Sequence, residues 1–320
     1  MATLARQGHS VPLLTVELNP SLVPLGQPCC WLSCQPAPHL TPPPLITMNL
    51  LDPKNDYVFK RLFAVAPHLL TALINAIRSE DEPLEVIEVL NPRIDPEDLA
   101  GKFIVLDVLA KDRHGRLINV EMQVKRFDPW SARSTYYLAS ALTKQITSGE
   151  GYADLKPVIG IHLLDFELFT EPQQLSQAHW CFEMRDRWQP ATKLGAELEL
   201  NIIELGKADR LHSALAQSLA AWVTFFEHWS EESAMSQLSY PPVQQALDML
   251  KDLSADAETR HRAMVRERAL HDEATLIQAA EQRGEQRGEQ RGEQKGLQNA
   301  LTRMVENGIP EAQARSILGL

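Results

Sequence analysis

Two strand-like runs, FIVLDVLA at 103–110 and LINVEMQV at 117–124, flank the polar hexapeptide KDRHGR. That pattern predicts a β-hairpin. The second run alternates, with Ile118, Val120, Met122 and Val124 on one side and Asn119, Glu121, Gln123 and Lys125 on the other. A hairpin centred on His114 sets Asp107 directly opposite Glu121, with Cβ atoms roughly 4.5–5.5 Å apart. Asp107 also breaks an otherwise apolar strand, Phe103 to Leu106 and then Val108 and Leu109. Adjacent carboxylates on a mostly buried sheet repel, and burying them unpaired is costly. A hard divalent cation removes both problems, and oxygen-only ligands point to Mg²⁺ or Mn²⁺ rather than zinc. The alternative is an amphipathic edge hairpin whose polar face meets solvent.

The rest of the sequence limits the setting. The chain has 320 residues and a formal net charge of −11, so bulk charge does not draw it to nucleic acid, and phosphate binding needs local basic groups or a cation. No run of eighteen apolar residues occurs. Three of the four cysteines, Cys29, Cys30 and Cys34, lie in a proline-rich leader and the fourth is Cys181. No CxxC is formed, which argues against a disulfide framework or a zinc site and for a reducing cytoplasm. The opening residues carry no charged segment leading into an apolar one, so a secretory signal is not expected.

Four parts are expected. Residues 1–47 hold nine of the 21 prolines and two charged residues, Arg6 and Glu17, and read as a disordered leader. Folded-looking sequence begins at Met48, the expected natural start. Residues 48–206 form the core, 207–253 a helical subdomain, and 254–320 a charged helical tail. In the core, Asp52-Pro53 predicts a helix start, and Pro67 opens a second helix with Leu70, Leu73, Ile74 and Ile77 on one face. Strand or helix end is open for 85–90. Asp128-Pro129 caps a helix running to about Thr147, ended by Gly149 and Gly151. Strands are expected at 157–164, 179–184 and 198–205, and helices at 207–228 and about 242–253. The tail contains EQRGEQRGEQRGEQKG at 281–296. On a helix its glutamates form one slowly drifting row and its basic residues another. The repeat reads as a solvated helix or as a seam for self-association along its glycines. Two short helices are expected after it.

Several stretches, taken in order, resemble one family. Asp107 with Glu121-Met122-Gln123 looks like a PD-(D/E)XK nuclease core, and more specifically like the Rpn family of recombination-promoting, transposase-like nucleases. LDPKNDYVFKRLF at 51–63 resembles the family's opening helix and INVEMQ at 118–123 its strand motif. RSTYY at 133–137 resembles its R-x-x-Y-Y helix. GEGYADLKPVIGIHLLDFELF at 149–169 resembles its Gly-Tyr turn, Lys-Pro strand and following loop, and IELGK at 203–207 is also similar. The resemblance spans about 48–296.

The resemblance implies an α/β fold: a restriction-endonuclease-like mixed sheet flanked by helices, with a helical C-terminal extension. It implies a metal-dependent endonuclease that hydrolyses DNA phosphodiester bonds and is linked to recombination or mobile elements. By position Asp107 and Glu121 would hold Mg²⁺ or Mn²⁺, with the Met122 carbonyl as a further ligand. Gln123 stands where many nucleases have lysine. An amide is neither a base nor a charge, so it orients water or a ligand at most. Lys125, on the same strand face, would supply the missing cation, and Asp56 would be an accessory acid unless it is simply a first-turn helix acid. Arg133, Tyr137, Gln145 and Tyr152 are the candidate DNA or cleft contacts. Of Tyr136 and Tyr137, one is expected in the core. The competing expectation is an inactive nuclease-fold protein that binds DNA or a protein partner, with homo-oligomers formed through the tail. A membrane partner is not expected.

Overall fold

The computed structural model describes residues 49–91, 93, 107–126, 129–147, 149 and 151–320. The leader at 1–47, the run at 103–106 and the Asp128 cap lie outside them. Among the described residues one mixed sheet runs in the order β1-β2-β3-β4-β6-β5. Its strands are β1 (Val86–Val89), β2 (Val108–Asp112), β3 (Leu117–Gln123), β4 (Val158–Leu164), β5 (His179–Glu183) and β6 (Leu198–Glu204). The β3–β4 and β4–β6 pairs are parallel, and the others are antiparallel. Residues 85–90 are thus a strand.

The hairpin has the expected register, because Val108 pairs with Val120, Leu109 with Asn119 and Ala110 with Ile118. The turn closes at Gly115, whose φ of 81° suits glycine. Asp112 accepts from the backbone N–H groups of His114 and Arg116.

One sheet face carries the main core. Ile118, Val120 and Met122 of β3 and Ile159, Ile161 and Leu163 of β4 pack there against α1 (Asp56–Ala64), α2 (Pro67–Ile77), α5 (Gln217–His228) and α7 (Pro241–Ala255). Phe59, Phe63, Trp222 and Phe226 form its aromatic centre, with ring centroids 4.7–6.4 Å apart. The other face is covered by α3 (Trp130–Thr143) and a smaller cluster of Trp130, Leu164 and Ile202. Only Trp130, Ser134 and Leu138 of α3 are buried, a stripe at i, i+4, i+8. That places the helix flat on β4 over Gly160: a Cβ there would meet Leu138 Cδ1 at 2.7 Å and Leu200 Cδ1 at 3.0 Å, so those side chains would have to shift.

Several boundaries differ from the sequence reading. Asn55, not Asp52, caps α1, accepting from Tyr57 and Val58 N–H. Asp52 instead accepts from Lys54 N–H in a tight turn, which suits aspartate equally well. The α3 helix stops at Thr143 rather than Thr147. The 207–228 helix is broken into α4 (Leu205–Arg210), a 3₁₀ turn at His212–Ala214 and α5. Leu215 and Ala216 between them are extended, and both Leu211 and Leu215 pack on the core from the two sides of the break. A short α6 (Glu232–Gln237) precedes α7. The tail is one helix, α8 (Ala257–Glu306), of 50 residues, so the first of the two expected terminal helices is its last stretch. The second is α9 (Glu311–Leu318). The start of α8 belongs to the body: Arg266, fully buried, donates to both oxygens of Asp56.

Candidate active site

Continuing the hairpin register by one pair puts Asp107 across from Glu121. Both line a pocket of about 450 Å³ between the sheet and α3. Its floor includes Asp107, Leu109, Asn119, Glu121 and His162, and its α3 wall includes Arg133, Tyr137, Ser140 and Lys144. The Asn91 side chain extends the β1 edge, donating to the Asp107 carbonyl and carboxylate and accepting from Leu109 N–H. Burial, then the Glu121 charge, push the Asp107 carboxyl up to about 6, against the opposing pull of Lys60.

Glu121 is 7% exposed. Its Oε1 accepts from Asn119 Nδ2 at 2.8 Å and its Oε2 from Gln123 Nε2 at 2.7 Å. Across the parallel β3–β4 pair it faces His162, whose Nδ1 lies 3.4 Å from Oε2, at ion-pair distance but without a hydrogen bond. Burial raises the Glu121 pKa, but the His162 contact and the two amide donors outweigh it, leaving the carboxyl below its ordinary value. Gln123 Oε1 in turn accepts from Trp130 Nε1 at 2.5 Å, and the Trp130 ring stands edge-on to His162 at 5.1 Å. Gln123 therefore fixes Glu121 and is itself fixed by α3.

The donor set suits a hard cation. The two facing carboxylates supply oxygen, and ionising both requires a compensating charge. Two buried polar atoms beside them, Asn119 Oδ1 and His162 Nδ1, lack hydrogen-bond partners, as groups facing a hydrated ion or a substrate would. No cluster of three or more His, Cys, Asp or Glu side chains positioned for a metal occurs among the described residues, so any ion there would take its further ligands from backbone, water or substrate.

The structure gathers some of the expected site residues and separates others. Asp107, Glu121, Gln123, Arg133 and Tyr137 come together. Arg133 lies over the Tyr137 ring at 5.6 Å. Lys125 does not join them. The strand ends at Gln123, the alternation stops there, and the Lys125 ammonium donates to the Leu270 carbonyl of α8. Asp56 is likewise turned away, bound by Arg266. Gln145 holds a loop, exchanging two hydrogen bonds with the Lys156 backbone. Tyr152 is 84% exposed and lies outside the pocket. Neither Tyr136 nor Tyr137 is core: they are 68% and 51% exposed, edge to face at 5.7 Å.

The sequence reading missed His162, Asn91 and Trp130. His162 had a signal, since it shares the phase of Gly160 and Leu164 in an otherwise apolar strand. The IELGK stretch serves the fold. Glu204 and Lys207 form a fully buried pair at 2.6 Å. Glu204 accepts from Leu168 N–H, Phe169 N–H and Trp180 Nε1, and Lys207 donates to the Phe169 carbonyl. Together they clamp the loop after β4.

Among known families, the model for the PD-(D/E)XK nuclease family transposase fits residues 53–280. The matched span includes the whole sheet and the packed start of α8. No curated protein matches the chain. No solved structure matches it either.

Proposed function

The chain belongs to the PD-(D/E)XK nuclease family transposases, and from that premise we propose that it is a metal-dependent endonuclease hydrolysing DNA phosphodiester bonds. The observation that carries this reading is the facing of Asp107 and Glu121 at the floor of one pocket, with the Asp107 carboxyl raised by burial and then by that proximity. Asp107 and Glu121 would hold Mg²⁺ or Mn²⁺, with the Met122 carbonyl as a further ligand. Such a cation supplies Lewis acidity and a lowered water pKa when bound. Gln123 and Asn119 orient Glu121 by donating to its two oxygens, so Gln123 is a positioning residue rather than a base. His162 borders the same oxygen. Arg133 and Lys144 give the wall positive charge for the backbone of DNA. We assign the protein to the cytoplasm, with recombination or the mobility of DNA elements as the process served and self-association through α8 as its mode of assembly.

The test is hydrolysis of plasmid DNA with Mg²⁺ or Mn²⁺ by the full chain. Asp107→Ala and Glu121→Ala should each abolish it, and unchanged cutting by both variants overturns the reading. One observation favours a non-catalytic binding protein instead, namely that both Glu121 oxygens already have partners within the chain. A melting temperature indifferent to millimolar Mn²⁺, together with no cutting, decides for that alternative.

A further inference from the structure

The pocket continues along the sheet. Leu109 and Lys111 follow Asp107 on the same face of β2. The α3 helix rests over β4 at Gly160, which leaves Leu109 and Lys111 half-buried at the edge of an open trough. Trp130 packs with Leu164, Leu138 covers Gly160, and Lys144 lines the pocket with Val158. The helix therefore runs against β4, and its C-terminal end stands at the hairpin-turn end of the sheet.

Three lysines gather at that end. Lys111 pairs with Leu117, and Leu117 with Val158, so Lys111 shares a row with the start of β4, about 10 Å away across two strand spacings. Lys156 stands two residues before Val158. Its aliphatic stem lies against the turn, with Cγ 3.3 Å from where a Cβ on Gly115 would be. Its backbone is tied to the end of α3 by the two Gln145 hydrogen bonds, which sets Lys156 beside the helix end that carries Lys144. The arginines of the turn are engaged, Arg113 with Glu85 and Arg116 with Asp112. None of the three lysine side chains has an ion pair or hydrogen bond among the described residues. In a chain of net charge −11, three uncompensated ammonium groups around one trough are a local attraction for a polyanion where bulk attraction is absent.

We propose that the backbone of one DNA strand lies along this trough, its scissile phosphate at Asp107 and Glu121 and phosphates farther along it anchored by Lys111, Lys144 and Lys156. Four residues of strand separate Asp107 from Lys111, about 13 Å, which is the axial rise of about four base pairs. A duplex carries its phosphates on its outside, so paired DNA reaches the trough without opening. Contacts of this kind fix register on the substrate and read no sequence. The inference deepens the nuclease reading and takes from it the choice of DNA, while the anchor is tested by binding alone.

The probe is a fluorescein-labelled, mixed-sequence DNA duplex of about 30 base pairs, titrated with the full chain by anisotropy in EDTA at KCl concentrations from about 50 to 200 mM. Each lysine that neutralises a phosphate adds about 0.9 to the slope of log affinity against log salt. Lys111→Gln, Lys144→Gln and Lys156→Gln should each lower that slope by about 0.9, and the triple variant by about 2.7. Lys144→Arg and Lys156→Arg, which keep the charge, should retain the parental slope. So should Lys295→Gln, in the exposed part of α8. A parental slope in the triple variant, an equal fall in Lys295→Gln, or no binding of the duplex by the parent overturns the proposal. Plasmid cutting in Mn²⁺ beside any of those results leaves the nuclease reading standing without this anchor. The expected slopes with no cutting by the parent keep the anchor and remove the nuclease reading.

Discussion

Replacing Asp107 with asparagine should stabilise the protein while ending its chemistry. In the folded chain burial, and then the Glu121 charge, move the Asp107 carboxyl from an ordinary 3.8 to about 6. A folded pKa above the unfolded one means that the proton is held more tightly in the native state. Below about pH 4 both states are protonated and the site costs nothing. Between about 4 and 6 the unfolded chain ionises first and stability falls. Above about 6 the cost is complete, about 3 kcal/mol at 1.36 kcal/mol per unit. Asparagine keeps the acceptor that Asn91 Nδ2 uses at 3.1 Å and removes the charge. Urea melts in EDTA should therefore show Asp107→Asn more stable than the parent by up to about 3 kcal/mol at pH 8 and equal to it near pH 4. DNA hydrolysis in Mn²⁺ should be lost at every pH. A gain independent of pH, or a loss of stability at pH 8, would refute the idea that a buried carboxylate crowded by its neighbour is the source of the strain.

Four further outcomes follow from particular contacts. Mn²⁺ at a hundredfold its dissociation constant should add about 2.7 kcal/mol to parental stability at pH 8, and Glu121→Gln should remove that response in differential scanning fluorimetry. Trp130→Phe keeps a ring beside His162 but deletes the donor to Gln123, so Mn²⁺ affinity by calorimetry or cutting rate should fall about 10–100-fold, the usual range for a group that orients a ligand. Asp56→Ala leaves the buried Arg266 guanidinium without its main partner and should cost about 3–5 kcal/mol in a urea melt, with Asp56→Ala/Arg266→Met recovering most of it. A chain ending after Ala280 should retain the parental unfolding midpoint, whereas one ending at Leu253 loses Arg266 and should melt markedly lower; equal midpoints for the two would show that the start of α8 is dispensable.

The hairpin was legible because a period of two and a turn of fixed length leave one register, and Asp107 and Glu121 fall opposite each other in it whatever the rest of the chain does. The second helix was legible for the same reason, since Leu70, Leu73, Ile74 and Ile77 mark one face. Local periodicity does not say which groups arrive from elsewhere. His162 meets Glu121 only because β4 runs parallel to β3 in one register, and Trp130 reaches Gln123 from α3, which packs on the sheet over Gly160. Lys125 and Asp56 carried the right chemistry in sequence, yet α8 takes both, one by its Leu270 carbonyl and one by Arg266. Sequence thus determined the acidic pair, through the alternation of a strand. Tertiary packing decided which imidazole meets it and which charged groups are drawn away from it, because partners separated by about forty to more than two hundred residues leave no local pattern.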